Sequence, residues 1–216
     1  YYFNEMYFLK MIFMKTSYNK LFVTLFFFLA TCSFFLSSCN DEDPQKEDVP
    51  ELITKVVLTF DPVGGNTPVV VSATDPDGDG VRGIEVDGAI NLVSGQTYVL
   101  TIQLFNTLAD VGTPAYDVSE EVAEEAGEHM FFFQWTSGIF SDPTGNGNID
   151  NRADPVNYED VDANGLPLGL MTRWTANTGS GTFRIVLKHQ PDLKTASSNV
   201  DMGETDLDLT FDIAVN

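Results

Sequence analysis

The sequence is poor in cysteine, histidine and tryptophan, with two residues of each, and poor in positive charge, with 11 Lys and Arg against 32 Asp and Glu. From residue 39 onward the imbalance is larger: these 178 residues carry 8 basic and 31 acidic side chains, a net charge of −23. Nucleic-acid binding requires a basic surface that neutralises phosphates, so the composition excludes that role. It equally excludes electrostatic attachment to an anionic membrane surface.

Recognisable catalytic motifs are also missing. The sequence contains no GxSxG nucleophile elbow, no HExxH zinc motif and no glycine-rich phosphate loop. The many carboxylates offer too many pairs for spacing alone to select a glycosidase pair. We therefore predict that the protein is not an enzyme.

The N-terminal segment is the one long apolar run in the chain. Residues 21–36 form 16 uncharged positions preceded by two lysines, a pattern typical of a secretory signal. The run is shorter than the roughly 20 apolar residues that span a bilayer. We predict a cleaved signal peptide over residues 1–38, in which residues 1–13 are an over-extended start. The alternative is an uncleaved N-terminal anchor.

Both cysteines fall in or directly after this segment. Residues 36–39, Leu-Ser-Ser-Cys, resemble a bacterial lipobox, whose cysteine becomes the lipidated first residue. Cys39 is thus predicted to carry lipid and to make the membrane a partner, while Cys32 is removed with the signal. No thiol then remains for a disulfide, a nucleophile or a cysteine zinc site. The acidic residues 39–50 indicate a tether, and we expect lipid anchoring at the outer membrane, in either leaflet.

Residues 51–216 show strand-like alternation between clusters of Gly, Pro, Asn and Asp. The clearest run is 206–215, where alternate apolar residues face one side, while Asp206, Asp208 and Asp212 are predicted to face solvent. One short helix is predicted over residues 118–126. These patterns predict an all-β fold, a single antiparallel β-sandwich of Ig-like or jelly-roll-like type.

Two loops have the oxygen-ligand spacing of calcium loops. Asp75, Asp77 and Asp79 alternate with Pro and Gly, so calcium is one candidate cofactor. The alternative is a simple Asp/Gly turn, because these residues tolerate left-handed conformations. The loop at 160–165 repeats the spacing, but its Asn-Gly pair favours a hairpin turn.

The two histidines suggest a different metal. His129 begins a predicted strand directly after an acidic helix that carries Glu125, with Glu128 just beyond it, and His189 ends another predicted strand. If those strands are neighbours, the four side chains could form a site for zinc or a similar ion. Structural, hydrogen-bonded histidines are the alternative.

Several motifs together resemble a family of small Bacteroidota envelope lipoproteins, often catalogued as type 1 periplasmic binding fold superfamily proteins. The motifs are LITKVVLTFDPVGG, TDPDGDG, EEAGEHMFFFQW, YEDVDANGLPLGL, LKHQPDLK and GETDLDLTFDIAV. The resemblance implies action beside an outer-membrane TonB-dependent transporter. The fold implied by the catalogue name requires two α/β lobes, whereas this pattern contains one helix, so we retain the sandwich.

Two functions are compatible with these features. The first is a lipid-anchored envelope binding protein that captures a metal or small ligand. The second is a structural or adhesive surface domain whose Asp-rich loops are stapled by calcium. The position of the two histidines relative to each other discriminates between them.

Overall fold

The computed structural model describes residues 51–78, 83–149 and 155–216. These residues belong to one compact unit, Val49–Asn216, which contains its own hydrophobic core and is therefore expected to fold without the preceding segment. The predicted signal peptide, lipidated Cys39, acidic tether and Asp79 lie outside the described residues. Within the described ranges, no helix has the length and apolar character needed to cross a membrane.

The regular elements of the described residues are all strands except for a single short helix, as predicted. The elements are β1 (Lys55–Pro62), β2 (Val69–Thr74), β3 (Glu85–Asp87), β4 (Ile90–Leu92), β5 (Thr97–Phe105), α1 (Val118–Glu124), β6 (His129–Trp135), β7 (Phe140–Asp142), β8 (Asn157–Tyr158), β9 (Met171–Ala176), β10 (Gly179–His189) and β11 (Glu204–Val215).

The strands form two sheets, which confirms the all-β sandwich. In the described residues, sheet A has the order β3-β2-β1-β5-β9-β7, with β8 also paired to β9, and sheet B has the order β4-β11-β10-β6. The strand pairs are antiparallel with one exception: β4 runs parallel to β11. The prediction of a purely antiparallel sandwich is corrected at this pair, which joins strands far apart in sequence.

The core lies between the two sheets. In β1, the alternate residues Val56, Leu58 and Phe60 are fully buried, as the period of a half-buried strand requires. The rings of Phe60 in sheet A and Phe183 in sheet B are 6.0 Å apart, so the two apolar faces are in direct contact. Burying each large apolar side chain contributes roughly 1.5–3 kcal/mol.

Helix α1 is short and ends in a turn that leads directly into β6. Asp117 caps it by accepting a hydrogen bond from the backbone N–H of Ser119 at 3.1 Å, and Val118 and Val122 supply its buried side. The regular helix ends at Glu124, two residues earlier than predicted. The carbonyl oxygen of Glu125 then accepts bonds from the N–H groups of Glu128 and His129, so both residues are held close to the start of β6.

A β-bulge interrupts the pairing of β10 with β11. Leu187 pairs with Leu207, whereas the next residue, Lys188, pairs with Thr205. Asp206 is therefore the extra residue of β11, and its side chain is only 1 % exposed. The prediction that Asp206 faces solvent is wrong, because the bulge breaks the two-residue alternation at this point. Asp208 and Asp212, beyond the bulge, are exposed as predicted.

Candidate metal centre

The two histidines lie directly opposite each other on neighbouring strands. His129 of β6 and His189 of β10 are register partners at one end of sheet B. Their rings are stacked, with centroids 4.6 Å apart and planes inclined by 10°. His129 is fully buried and His189 is 9 % exposed. The structure thus brings together the two residues on whose proximity the metal hypothesis depends.

The turn after α1 places two glutamates beside these rings. His129 Nδ1 lies 3.3 Å from the carbonyl oxygen of Glu125. On the other ring, His189 Nε2 lies 3.3 Å from Oε2 of Glu128, whose side chain is 48 % exposed. The backbone carbonyl of Glu128 also accepts the N–H of Gln190, which extends the pairing of the two segments past the histidines. Both predicted glutamates therefore belong to this cluster.

Three of these residues could ligate a single ion. Each of Glu125, His129 and His189 offers one ligand atom, and the three atoms lie within 4.8 Å of one another. Two donors held about 2.1 Å from a tetrahedral ion are roughly 3.4 Å apart, so the donors must approach each other slightly. Because nitrogen lone pairs lie in the plane of their ring, those of two stacked rings lie in nearly parallel planes and do not converge on one ion, so at least one imidazole must also turn.

A third carboxylate, that of Asp206, lies on the other side of His129. Oδ2 of Asp206 is 3.8 Å from His129 Nε2, and the two side chains are 1 % and 0 % exposed. Sequence analysis missed this residue because alternation placed it on the opposite face of β11. The sequence around Asp206 contains no signal that distinguishes a bulge from regular pairing.

A buried ion pair holds in place the turn between α1 and β6, which contains Glu125 and Glu128. Lys194 Nζ donates a hydrogen bond of 2.6 Å to the carbonyl oxygen of Ala126 and lies 3.2 Å from Oδ2 of Asp162. Both side chains of the pair are 1 % exposed. The loop after β10 and the loop before β9 are thereby attached to the end of α1, directly beside Glu125. Sequence analysis did not identify this pair, because its members come from loops that are distant in the chain.

The pKa values of Asp162 and Lys194 are both lowered, but for different reasons. Burial alone would raise the pKa of Asp162, but the backbone N–H groups of Leu166 and Asn164 and the Lys194 ammonium outweigh it and hold that pKa below its ordinary value. Burial lowers the pKa of Lys194, and the neighbouring carboxylates only partly oppose the shift. The backbone bonds to Asp162 also form the tight turn expected for this Asn-Gly loop.

The predicted calcium loop is stabilised by its own backbone. Asp75 Oδ1 accepts hydrogen bonds from the N–H groups of Asp77 and Gly78 at 3.1 and 3.0 Å, the geometry of an Asx turn. Among the described residues, Asp75 and Asp77 belong to no group of three converging metal ligands. Asp79 lies outside the described residues, so calcium binding at this loop stays a prediction.

Comparison of the chain with protein-family models, with curated proteins and with solved structures gave no match.

Proposed function

We propose that this protein is a lipid-anchored cell-envelope binding protein that captures a transition-metal ion, with Zn²⁺ as the first candidate, beside an outer-membrane TonB-dependent transporter. The observation that carries the metal proposal is the convergence of Glu125, His129 and His189, with ligand atoms within 4.8 Å of one another. The envelope location rests on the signal-like residues 1–38 and on Cys39, and the transporter rests on the family resemblance.

The donor set determines the class of ion. Two imidazole nitrogens and one carboxylate suit Zn²⁺ and related divalent ions, whereas Ca²⁺ and Mg²⁺ prefer shells made of oxygen. The net charge of −23 after residue 38 adds a long-range attraction for any cation. The two nitrogens and one carboxylate therefore favour Zn²⁺ or a related divalent ion, and the negative net charge attracts that ion to the protein.

The burial gradient across the cluster supports reversible capture. His129 is fully enclosed, whereas the Glu128 side chain is about half exposed and already contacts His189. An ion can enter on the Glu128 side, where that carboxylate is available as a fourth ligand. Three protein ligands with a further exchangeable position are typical of sites that retain access to an incoming group.

The direct test is thermal unfolding of the 49–216 domain after EDTA treatment, with Zn²⁺ or Ca²⁺ added separately. At a Zn²⁺ concentration 100 times the dissociation constant, binding stabilises the native state by about 2.7 kcal/mol. For a domain of this size, that energy raises the melting temperature by roughly 5–11 °C. Ca²⁺ is expected to produce no shift at this site.

Matched variants localise the effect. Glu125→Gln and His189→Gln should each reduce the Zn²⁺ shift, whereas Glu124→Gln should not, because Glu124, the exposed last residue of α1, is next to Glu125 but lies outside the ligand group. A shift with Ca²⁺ and none with Zn²⁺ would favour the structural or adhesive alternative. If neither ion moves the melting temperature, metal capture is wrong.

A further inference from the structure

We propose that the protein also binds a small, neutral, apolar molecule that carries an amide group, in a cavity at the free edge of strand β6. The cavity has a volume of about 260 Å³, and its described lining includes no member of the metal ligand group. Its basis is the combination of apolar walls with the backbone N–H and C=O groups of Phe133.

The first argument is the hydrogen bonding along the edge of β6. In the described part of sheet B, β6 is an edge strand, so its alternate residues direct their N–H and C=O groups away from β10. At this edge the N–H of Phe131 donates to the carbonyl oxygen of Leu168 at 2.7 Å. The N–H of Trp135 donates to the carbonyl oxygen of Gly147 at 3.1 Å. Phe133 lies midway between them and presents its N–H and C=O to the same edge, where no described residue bonds to either group.

These two backbone groups require a hydrogen-bond partner. Phe133 is only 3 % exposed, and it forms part of the cavity lining. Buried backbone N–H and C=O groups are almost always bonded to protein, to water or to a ligand. Because the segments at Leu168 and Gly147 occupy the edge on either side, the single open position does not admit a continuous strand of another protein. A small molecule can fill it.

The second argument is the composition and size of the cavity. Met130 and Phe132, which belong to a small apolar cluster separate from the main core, form part of its wall. Pro155, Val156 and Pro167 add further apolar surface. Apolar walls around a few polar groups are typical of ligand pockets, and pockets for drug-sized ligands measure roughly 300–1,000 Å³. The smaller volume found in this cavity suits a molecule about the size of one amino-acid derivative.

The chemistry of the ligand follows from these two arguments. An amide group offers one N–H donor and one C=O acceptor, which complement the two groups of Phe133. An apolar substituent on that amide would bury its surface against Met130 and Phe132. The described lining contains no charged side chain, so a charged ligand would lose its hydration without compensation. A neutral amide with an apolar substituent is therefore the class that fits.

The test is NMR spectroscopy of the 49–216 domain with N-acetyl-L-leucinamide. Binding should move the Phe133 amide proton downfield, because that proton enters a hydrogen bond. At ten times the dissociation constant about one-eleventh of the protein is free, so solvent exchange of this proton should slow about tenfold. The Trp135 N–H, which is already bonded to Gly147, should change by less than about twofold. N-acetylglycinamide has the same amide without the apolar side chain and should bind at least about tenfold more weakly.

Two exposed neighbours in one loop provide matched variants. Ala196 lines the cavity, whereas Ser197 is not among the described lining residues. Ala196→Trp should abolish the effect of N-acetyl-L-leucinamide on Phe133, and Ser197→Trp should retain it. Ala196→Leu is the second variant if the tryptophan variant does not fold. The inference is overturned if N-acetyl-L-leucinamide leaves the Phe133 amide unchanged, if Ala196→Trp keeps the full effect, or if Phe133 is already as protected from exchange as Trp135 in the ligand-free protein. None of these outcomes bears on Zn²⁺ capture.

Discussion

Replacing Trp174 with alanine is expected to lower the free energy of unfolding by about 3–5 kcal/mol, a large part of the 5–15 kcal/mol typical of a whole domain. Trp174 is fully buried in β9, and its indole N–H donates to Thr172 Oγ1 at 2.8 Å. Its ring contacts four others, with centroids 4.8–5.5 Å away, and so joins sheet A to sheet B: Phe133, Trp135, Phe140 and Phe183. Alanine would remove these contacts and leave a cavity. Urea unfolding measures the loss.

Two further variants give reference values for the stability loss of Trp174→Ala. Trp174→Phe keeps an aromatic ring and should lose less than alanine does. Met171→Ala changes a residue on the same strand that is 40 % exposed, and should alter stability by no more than about 0.5 kcal/mol. A loss below about 1 kcal/mol for Trp174→Ala would mean that the aromatic cluster does not hold the two sheets together.

The Lys194→Met variant should lose about 3–5 kcal/mol, because it leaves the Asp162 carboxylate enclosed without its ammonium partner. The two groups lie 3.2 Å apart and are each 1 % exposed. In the variant the backbone N–H groups of Asn164 and Leu166 still donate to this carboxylate and favour its charged form, so the charge stays in place without a cation beside it. Urea unfolding at pH 7 is the measurement.

The double variant Asp162→Asn/Lys194→Met should be more stable than Lys194→Met alone. Asparagine keeps an oxygen for the N–H groups of Asn164 and Leu166 but carries no charge. As a surface comparison, Arg173→Met breaks the partly exposed pair with Glu159 and should lose much less stability than Lys194→Met. Equal losses in the single and double variants would show that the charge of Asp162 is not the cause.

The alternation of apolar and polar residues was sufficient to predict the fold class, because most strands here have one buried face and one face exposed to solvent. The predicted run 206–215 lies within β11, and its alternate apolar residues Leu207, Leu209 and Phe211 are buried. The parallel pair of β4 and β11 was not predictable, since β4 has only three residues and its partner lies more than 100 positions away. Short strands carry too few alternations to indicate a partner.

The candidate site likewise contains residues that the sequence pattern predicted and residues that it did not. His129 and His189 were placed at strand ends by pattern, and their meeting required only that β6 and β10 be neighbours. Asp206 was misplaced because the bulge breaks the period of two at this residue, whereas the positions after it keep the predicted alternation. The Lys194–Asp162 pair depends on how two loops fold back, which periodicity does not encode.

The position of β11 within sheet B also has a consequence for the order in which the domain can assemble during synthesis. β11 lies between β10 and β4, although it is the last strand along the described chain. Until residues 204–215 have left the ribosome, β10 has only β6 beside it in this sheet and β4 has no neighbour there, so the backbone hydrogen-bonding groups along these strand edges stay unpaired. Folding that waits for a late, central strand is slow and exposes nascent chains to aggregation. A chain that ended before residue 204 would therefore lack the strand that pairs with β10, and with it the support for the candidate site at His189.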